Sequence, residues 1–195
     1  MRIDKQKQAD ILLSINELLK KKGFSGAAYL FGGNSLISQE IIERTTKDVD
    51  FFLLIVEAHA DLIPFIKAEA SKQFKIKVDI GLNGKFEIAV KGFTWTLPKS
   101  AYSRAVHLMK FSHLNIFALH PVDIVALKCD RLNKQDQKDI ETVFRTLKPA
   151  KEQVTAIFEE YSALLEGNKS SIDNIRENFY QLVLTIHNLV MQRKN

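Results

Sequence analysis

Cysteine is almost absent from this sequence of 195 residues, which contains a single one, Cys129. A lone cysteine excludes an internal disulfide framework and is typical of proteins that work in a reducing cytosol. No stretch of the sequence reaches the roughly 20 apolar residues that a membrane-spanning helix requires. The charged, periodic N-terminal segment is also unlike a signal peptide. We therefore expect a cytoplasmic protein with no membrane partner.

Common metal and nucleotide signatures are missing as well. The five histidines include no pair at the spacing of a zinc-binding helix. No glycine pair is followed by the Gly-Lys-Ser/Thr of a Walker loop, and the dinucleotide-binding fingerprint is absent. These absences exclude a histidine zinc site and two frequent classes of nucleotide site.

The composition is that of an ordinary globular protein. Hydrophobic residues make up 46% of the chain and charged residues 26%, which is enough for a core and a normal surface. The formal net charge of +5 permits an acidic partner such as RNA or a nucleotide, although many basic proteins bind neither.

Hydrophobic periodicity predicts an α/β (α+β) protein. We expect strands at 27–31, 48–56, 74–82, 85–90, 92–97 and 114–119, with a tight turn at Asn83-Gly84. We expect helices at 4–22, 34–43, 61–72, 98–109, 120–132, 134–147, 150–166 and 171–192. Residues 1–148 should form a mixed sheet flanked by helices, and residues 149–195 a C-terminal helical hairpin.

Two aspartates stand one residue apart at the head of the most apolar strand. Asp48 and Asp50 point to the same face of a strand, while Val49 points to the other. Neighbouring carboxylates repel each other, and a divalent cation such as magnesium relieves the repulsion. The alternative is a pair of solvated aspartates at an exposed strand start.

A third carboxylate, Asp79, lies inside the strand-like run KIKVDIGL. If this strand neighbours the one that begins at Asp48, three carboxylates converge. Three such acids can hold two magnesium ions that orient a triphosphate for in-line attack. The alternative places Asp79 on the wet face of an edge strand.

The segment Gly32-Gly33-Asn34-Ser35 joins a strand to a helix. Glycines let backbone N–H groups approach a phosphate, a helix N-terminus favours negative charge, and Ser35 adds a hydroxyl donor. The alternative is an ordinary tight turn.

The sequence resembles the nucleotidyltransferase fold of the DNA polymerase β superfamily in its glycine pair and in the following Arg44-x-Thr46-x-Asp48-Val49-Asp50. Within that superfamily, the motif is most similar to that of the AbiEii-like toxin branch. The resemblance spans roughly residues 27–147. It implies that the glycines and the following serine contact nucleotide phosphates. It also implies that Asp48 and Asp50 bind metal, and that Asp79, the acid on the next strand, completes the metal site and acts as the base. The full set of predicted nucleotide-binding residues in this block is Gly32, Gly33, Asn34, Ser35, Arg44 and Thr46.

A second block, HPVDIVALKCDRLNKQDQKDIETV, resembles the downstream helix pair of the same branch. It implies that Lys128 binds the triphosphate or stabilises the leaving pyrophosphate, which makes it a catalytic residue. It also implies that Asp136 binds the nucleotide and that Asp139 orients Lys128 or the nucleotide. The helix around Lys128 is apolar, so a charge there needs a reason; the alternative is a surface lysine. Asn34 and Arg131 depart from the pattern of the branch, which leaves the choice of substrate open.

The resemblance implies an enzyme that moves an NMP from an NTP to an acceptor, which is RNA, perhaps tRNA, or a protein. It implies magnesium as cofactor, with two ions, and a toxin role with an antitoxin protein as partner. Two alternatives stay open: an inactive module that binds nucleotide or protein, and an antibiotic nucleotidyltransferase.

Overall fold

The computed structural model describes residues 3–55, 62–74, 77–82, 85–88 and 93–192. At residues 55, 63, 77–82, 85–88 and 93–95 the description covers the backbone alone. The chain divides into two compact units, Met1–Phe86 with Ala105–Leu119, and Glu87–Arg104 with His120–Asn195. Within the described residues, no helix combines the length and apolar character needed to cross a membrane.

Helices and strands alternate along the first half of the chain, and helices dominate the second half. The helices are α1 (Lys5–Lys22), α2 (Gly32–Ser38), α3 (Leu62–Phe74), α4 (Lys99–Arg104), α5 (Pro121–Leu127), α6 (Lys134–Leu147), α7 (Lys151–Ser162), α8 (Lys169–Glu177) and α9 (Leu184–Gln192). The strands are β1 (Gly26–Leu30), β2 (Asp48–Ile55), β3 (Lys77–Leu82), β4 (Lys85–Ile88), β5 (Phe93–Thr96), β6 (Val106–Lys110), β7 (Leu114–Ala118) and β8 (Glu166–Gly167).

The first unit is built on a mixed sheet. Strand β1 lies between β7, which is parallel to it, and β2, which is antiparallel. Strand β2 continues the sheet through a parallel pairing with β3, and β6 closes the other edge against β7. Phe51 and Leu53 of β2 are fully buried, as are Ile11, Ile15 and Leu19 of α1. The predicted α/β class is thus confirmed, and the apolar run after Asp50 is a buried strand covered by a helix.

Several predicted helices were too long. The helix expected over 34–43 ends at Ser38, and the one expected over 120–132 ends at Leu127, where a 3-10 turn follows. The helix expected over 98–109 ends at Arg104, and Val106–Lys110 forms strand β6. A tight connection, in which the Phe111 N–H donates to the Leu114 carbonyl at 2.8 Å, turns the chain back so that β6 pairs with β7. Hairpin pairing with the next strand overrides the local helical pattern.

The second unit carries the C-terminal helices. Helix α7 contacts α5, and α9 contacts α6, so the residues beyond Pro149 pack on the helices that precede it. The rings of Phe158 and Phe179 stack at 3.8 Å between centroids with an interplanar angle of 2°. The predicted helical extension is confirmed, with a short strand, β8, between its helices that pairs with β5. The predicted Asn83-Gly84 turn lies outside the described residues.

Candidate functional site

The glycine pair lies in the first turn of helix α2, which begins one residue after Phe31 and directly follows β1. Gly32 has φ +58°, in the left-handed region that favours glycine, and a Cβ at this residue would lie 3.4 Å from Asp50 Oδ2. The backbone of the turn therefore approaches the Asp50 carboxylate directly. Helix α2 has seven residues, about two turns, and the glycines are the first two of them.

Arg44 covers the second glycine. A Cβ on Gly33 would lie 2.9 Å from Arg44 Nη2, so the guanidinium occupies the space that a side chain would need. The Arg44 side chain also donates from Nη1 to the Thr45 carbonyl at 3.3 Å. The structure thus brings Gly32, Gly33, Arg44 and Asp50 together, as a shared role at one site requires.

Asp48 and Asp50 are partly exposed at the head of β2, whereas Val49 between them is fully buried. This alternation is the one expected of a strand with one face in the core. The Phe31 N–H donates to the Asp50 carbonyl at 3.2 Å, which ties the glycine turn to β2. The two carboxylates therefore stand at the accessible head of a strand whose continuation, Phe51–Leu53, is buried on both faces.

Asp79 occupies the register position beside Asp50. Strands β2 and β3 are parallel, with Asp50 paired to Asp79 and Asp48 to Lys77. The three predicted metal ligands thus lie on adjacent strands, which was the condition for their convergence. Among the side chains that the structure describes, no group of three histidine, cysteine or acidic residues is placed to hold a metal. The side chain of Asp79 lies outside the described part.

Asn34 and Ser35 face inward and are fully buried. The Ser35 hydroxyl donates to the Leu119 carbonyl at 2.7 Å, and Gln39 Nε2 donates to Ser35 Oγ at 3.0 Å. The Asn34 side chain donates from Nδ2 to the Asp48 carbonyl at 3.2 Å. To contact a phosphate as predicted, the side chains of Asn34 and Ser35 would have to give up these hydrogen bonds within the protein. In the structure, the two side chains instead hold the glycine turn in place.

In the second unit, Lys128 forms a buried cluster with two aspartates. Its side chain is 7% exposed, and its Nζ lies 2.7 Å from Asp136 Oδ1 and 2.9 Å from Asp139 Oδ2. The surface-lysine alternative is therefore wrong. The prediction that an aspartate of the next helix orients Lys128 agrees with these contacts.

Asp136 has several hydrogen-bond partners besides Lys128. Arg131 donates to both of its carboxylate oxygens, at 2.7 and 2.9 Å, and Asp136 caps α6 together with Asn133. Burial favours a raised pKa, but the hydrogen bonds and positive charges of Arg131 and Lys128 outweigh it and hold the pKa of Asp136 at about 2. The four charged groups Lys128, Arg131, Asp136 and Asp139 have no net charge together, so Lys128 is already neutralised in this arrangement.

Comparison with known proteins decides the family. The sequence model described as "Nucleotidyltransferase of unknown function (DUF6036)" matches residues 7–179. The chain belongs to this family. The predicted nucleotidyltransferase fold is thereby confirmed, whereas the assignment to the AbiEii-like branch stays a prediction. No curated protein matches the chain.

The match to the nucleotidyltransferase family covers both compact units, because it runs from α1 into the π-helical segment at Asn178–Val183. It therefore includes the glycine turn, the three aspartates and the Lys128 cluster. Membership of the family supports a transferase activity. The family description leaves the substrates open.

Sequence reasoning missed a second buried ion network in this family member. Asp123, fully buried in the first turn of α5, accepts from Arg104 Nη2 at 2.7 Å and from Nε at 3.2 Å. Arg104 Nη1 also lies 2.9 Å from Glu160 Oε2 on α7. The sequence signal was available, since Asp123 stands within an apolar helix just as Lys128 does. The network joins α4, α5 and α7 of the second unit.

Proposed function

We propose that this protein is a magnesium-dependent nucleotidyltransferase that moves a nucleoside monophosphate from an NTP to an acceptor and releases pyrophosphate. One observation carries the proposal: Gly32 lies so near the head of β2 that a Cβ on it would be 3.4 Å from the Asp50 carboxylate, with Asp48 two residues before Asp50. Family membership supports the same reaction class.

The donor set fits magnesium. Carboxylate oxygens are the ligands that this cation prefers, and a partly exposed pair leaves room for waters and substrate phosphates. Asp48 and Asp50 would hold the metal, with Asp79 as the third ligand. When bound, two magnesium ions would orient the triphosphate and stabilise charge on the attacking and leaving oxygens.

The remaining residues of the site would bind and orient the nucleotide. The Gly32-Gly33 backbone lies within reach of a phosphate held at Asp50, and the guanidinium of Arg44 beside Gly33 supplies a planar donor of positive charge. Asp79 would accept the proton of the acceptor hydroxyl. Lys128 would contact a phosphate on exchanging one of its two carboxylate partners.

We further propose a cytoplasmic enzyme whose acceptor is RNA, tRNA included. The net charge of +5 favours an acidic partner, and the resemblance to the AbiEii-like branch adds a toxin role with an antitoxin protein. A protein acceptor and an antibiotic acceptor are the competing possibilities, and the assay below separates the three.

The test is incubation of the pure protein with each α-labelled NTP, magnesium and total cellular RNA. Label on RNA is expected, and it should disappear when Asp48 and Asp50 are both replaced by alanine. Asp173→Asn, which removes an exposed carboxylate on α8, is the matched control and should keep full activity. Label on the protein itself would indicate a protein acceptor, and label on an added aminoglycoside a small-molecule acceptor.

Absence of label with every NTP, accompanied by tight nucleotide binding, would refute the enzymatic proposal and identify a binding module. Label that persists in the double variant would show that the reaction does not use these aspartates.

A further inference from the structure

Thr46 makes a contact that the nucleotide-binding role predicted for it does not explain. Its hydroxyl donates to Asp48 Oδ1 at 2.9 Å, two residues along the chain. The carboxylate proposed as a metal ligand is therefore hydrogen-bonded by a neighbouring side chain.

The backbone of Thr46 is itself fixed. Its N–H donates to the Ile3 carbonyl at 3.0 Å, and its carbonyl accepts from the Ile3 N–H at 2.8 Å. Ile3 is 1% exposed and belongs to the hydrophobic core, so this two-way bridge anchors Thr46 to the packed part of the unit. The hydroxyl consequently projects from a defined position.

The backbone of Asp48 is held separately. The buried Asn34 side chain donates to the Asp48 carbonyl, and the Asn34 carbonyl in turn accepts from Ser38 Oγ at 2.8 Å and from Gln8 Nε2 at 3.4 Å. Asp48 is thus fixed at its main chain by Asn34 and at its side chain by Thr46. An ionised carboxylate has about four acceptor sites, so one hydrogen bond at Oδ1 leaves capacity for a cation.

We propose that Thr46 is a positioning residue, which orients the Asp48 carboxylate for a divalent cation rather than contacting the nucleotide. This inference rests on the proposed function, because it assumes that Asp48 is a metal ligand. Hydrogen bonds from outside the ligand set restrict the orientation of metal-binding carboxylates, and their removal typically weakens metal binding 10- to 100-fold.

The test measures Mn²⁺ binding to the full chain by electron paramagnetic resonance of free Mn²⁺, without nucleotide or turnover. Thr46→Val keeps the shape of the side chain and removes the donor, and it should weaken Mn²⁺ binding about 10-fold or more. Thr46→Ser keeps the hydroxyl and should bind within about 2-fold of the unmodified protein. Thr185→Val, which removes an exposed hydroxyl on α9, is the control.

Asp48→Asn distinguishes a failure of the proposed metal site from a failure of the positioning role of Thr46. If it leaves Mn²⁺ affinity unchanged, the metal site of the proposed function is wrong. If it weakens binding while Thr46→Val does not, the positioning role is overturned and the proposed function stands. Equal losses for Thr46→Val and Thr46→Ser would also overturn the inference, because they would indicate a packing effect. An unchanged thermal unfolding midpoint in Thr46→Val is expected alongside the weaker binding.

Discussion

Replacement of Lys128 by methionine is the most direct test of the buried cluster in the second unit. Lys128 contacts two carboxylates, of Asp136 and Asp139, whose side chains are 1% and 2% exposed. Removing one partner of a buried ion pair typically costs about 3 to 5 kcal/mol because the opposite charge stays buried. Asp136 keeps its two bonds from Arg131, so the loss falls mainly on Asp139. We therefore expect the lower limit, about 3 kcal/mol at pH 7.

For a chain of 195 residues this corresponds to a fall in the midpoint of thermal unfolding of about 6 to 12 °C. Urea unfolding followed by far-ultraviolet circular dichroism gives the free energy directly. Adding Asp139→Asn to Lys128→Met should recover part of the loss.

Lys138→Met, on the exposed side of α6, is the matched control and should change the free energy of unfolding by no more than about 0.5 kcal/mol. A loss below about 1 kcal/mol for Lys128→Met at pH 7 would refute the reasoning. It would mean that the lysine is not held by its two aspartates in solution.

Three further substitutions test two buried carboxylates and the left-handed conformation of Gly32. Asp136 has its pKa lowered to about 2, so its ionised form stabilises the fold above pH 4 and this contribution disappears as the pH falls towards 2. Asp136→Asn should therefore cost at most about 2 kcal/mol at pH 7 in urea titrations, and its stability should converge with that of the unmodified protein near pH 2. Gly32→Ala should cost about 1 to 2 kcal/mol in thermal melts, since its φ of +58° disfavours a side chain; an unchanged midpoint would contradict that conformation. Asp123→Ala should cost about 3 to 5 kcal/mol by leaving Arg104 with half of its carboxylate partners, and a neutral effect would argue against the network.

Elements dictated by strong local patterns were predictable from the sequence. The periodic apolar face of α6 and the continuous apolar run of β2 gave the right type of element at nearly the right residues. Strand β6 was not predictable in this way, because the apolar pattern of Val106–Lys110 continues that of the preceding helix, and it is the hairpin pairing with β7 that makes the segment a strand.

The side-chain contacts of the candidate site were also only partly predictable from the sequence. The sequence indicated that a charge in an apolar helix, such as Lys128, needs a partner, and the structure supplies two. It could not indicate which polar groups pair internally. Ser35 and Asn34 stand in a segment with the composition of a phosphate loop, yet both bond to backbone carbonyls because the fold brings Leu119 and Asp48 within reach. Long-range proximity of this kind has no local signal.

The division of the chain has a consequence for proteolysis. The first unit takes Met1–Phe86 and Ala105–Leu119, and the second takes the segments between and after them, so the backbone passes from one unit to the other three times. A single cut in any one of these passages leaves two covalent connections intact. Limited proteolysis should therefore yield nicked protein before it releases either unit as a separate fragment, and neither unit corresponds to one uninterrupted stretch of coding sequence.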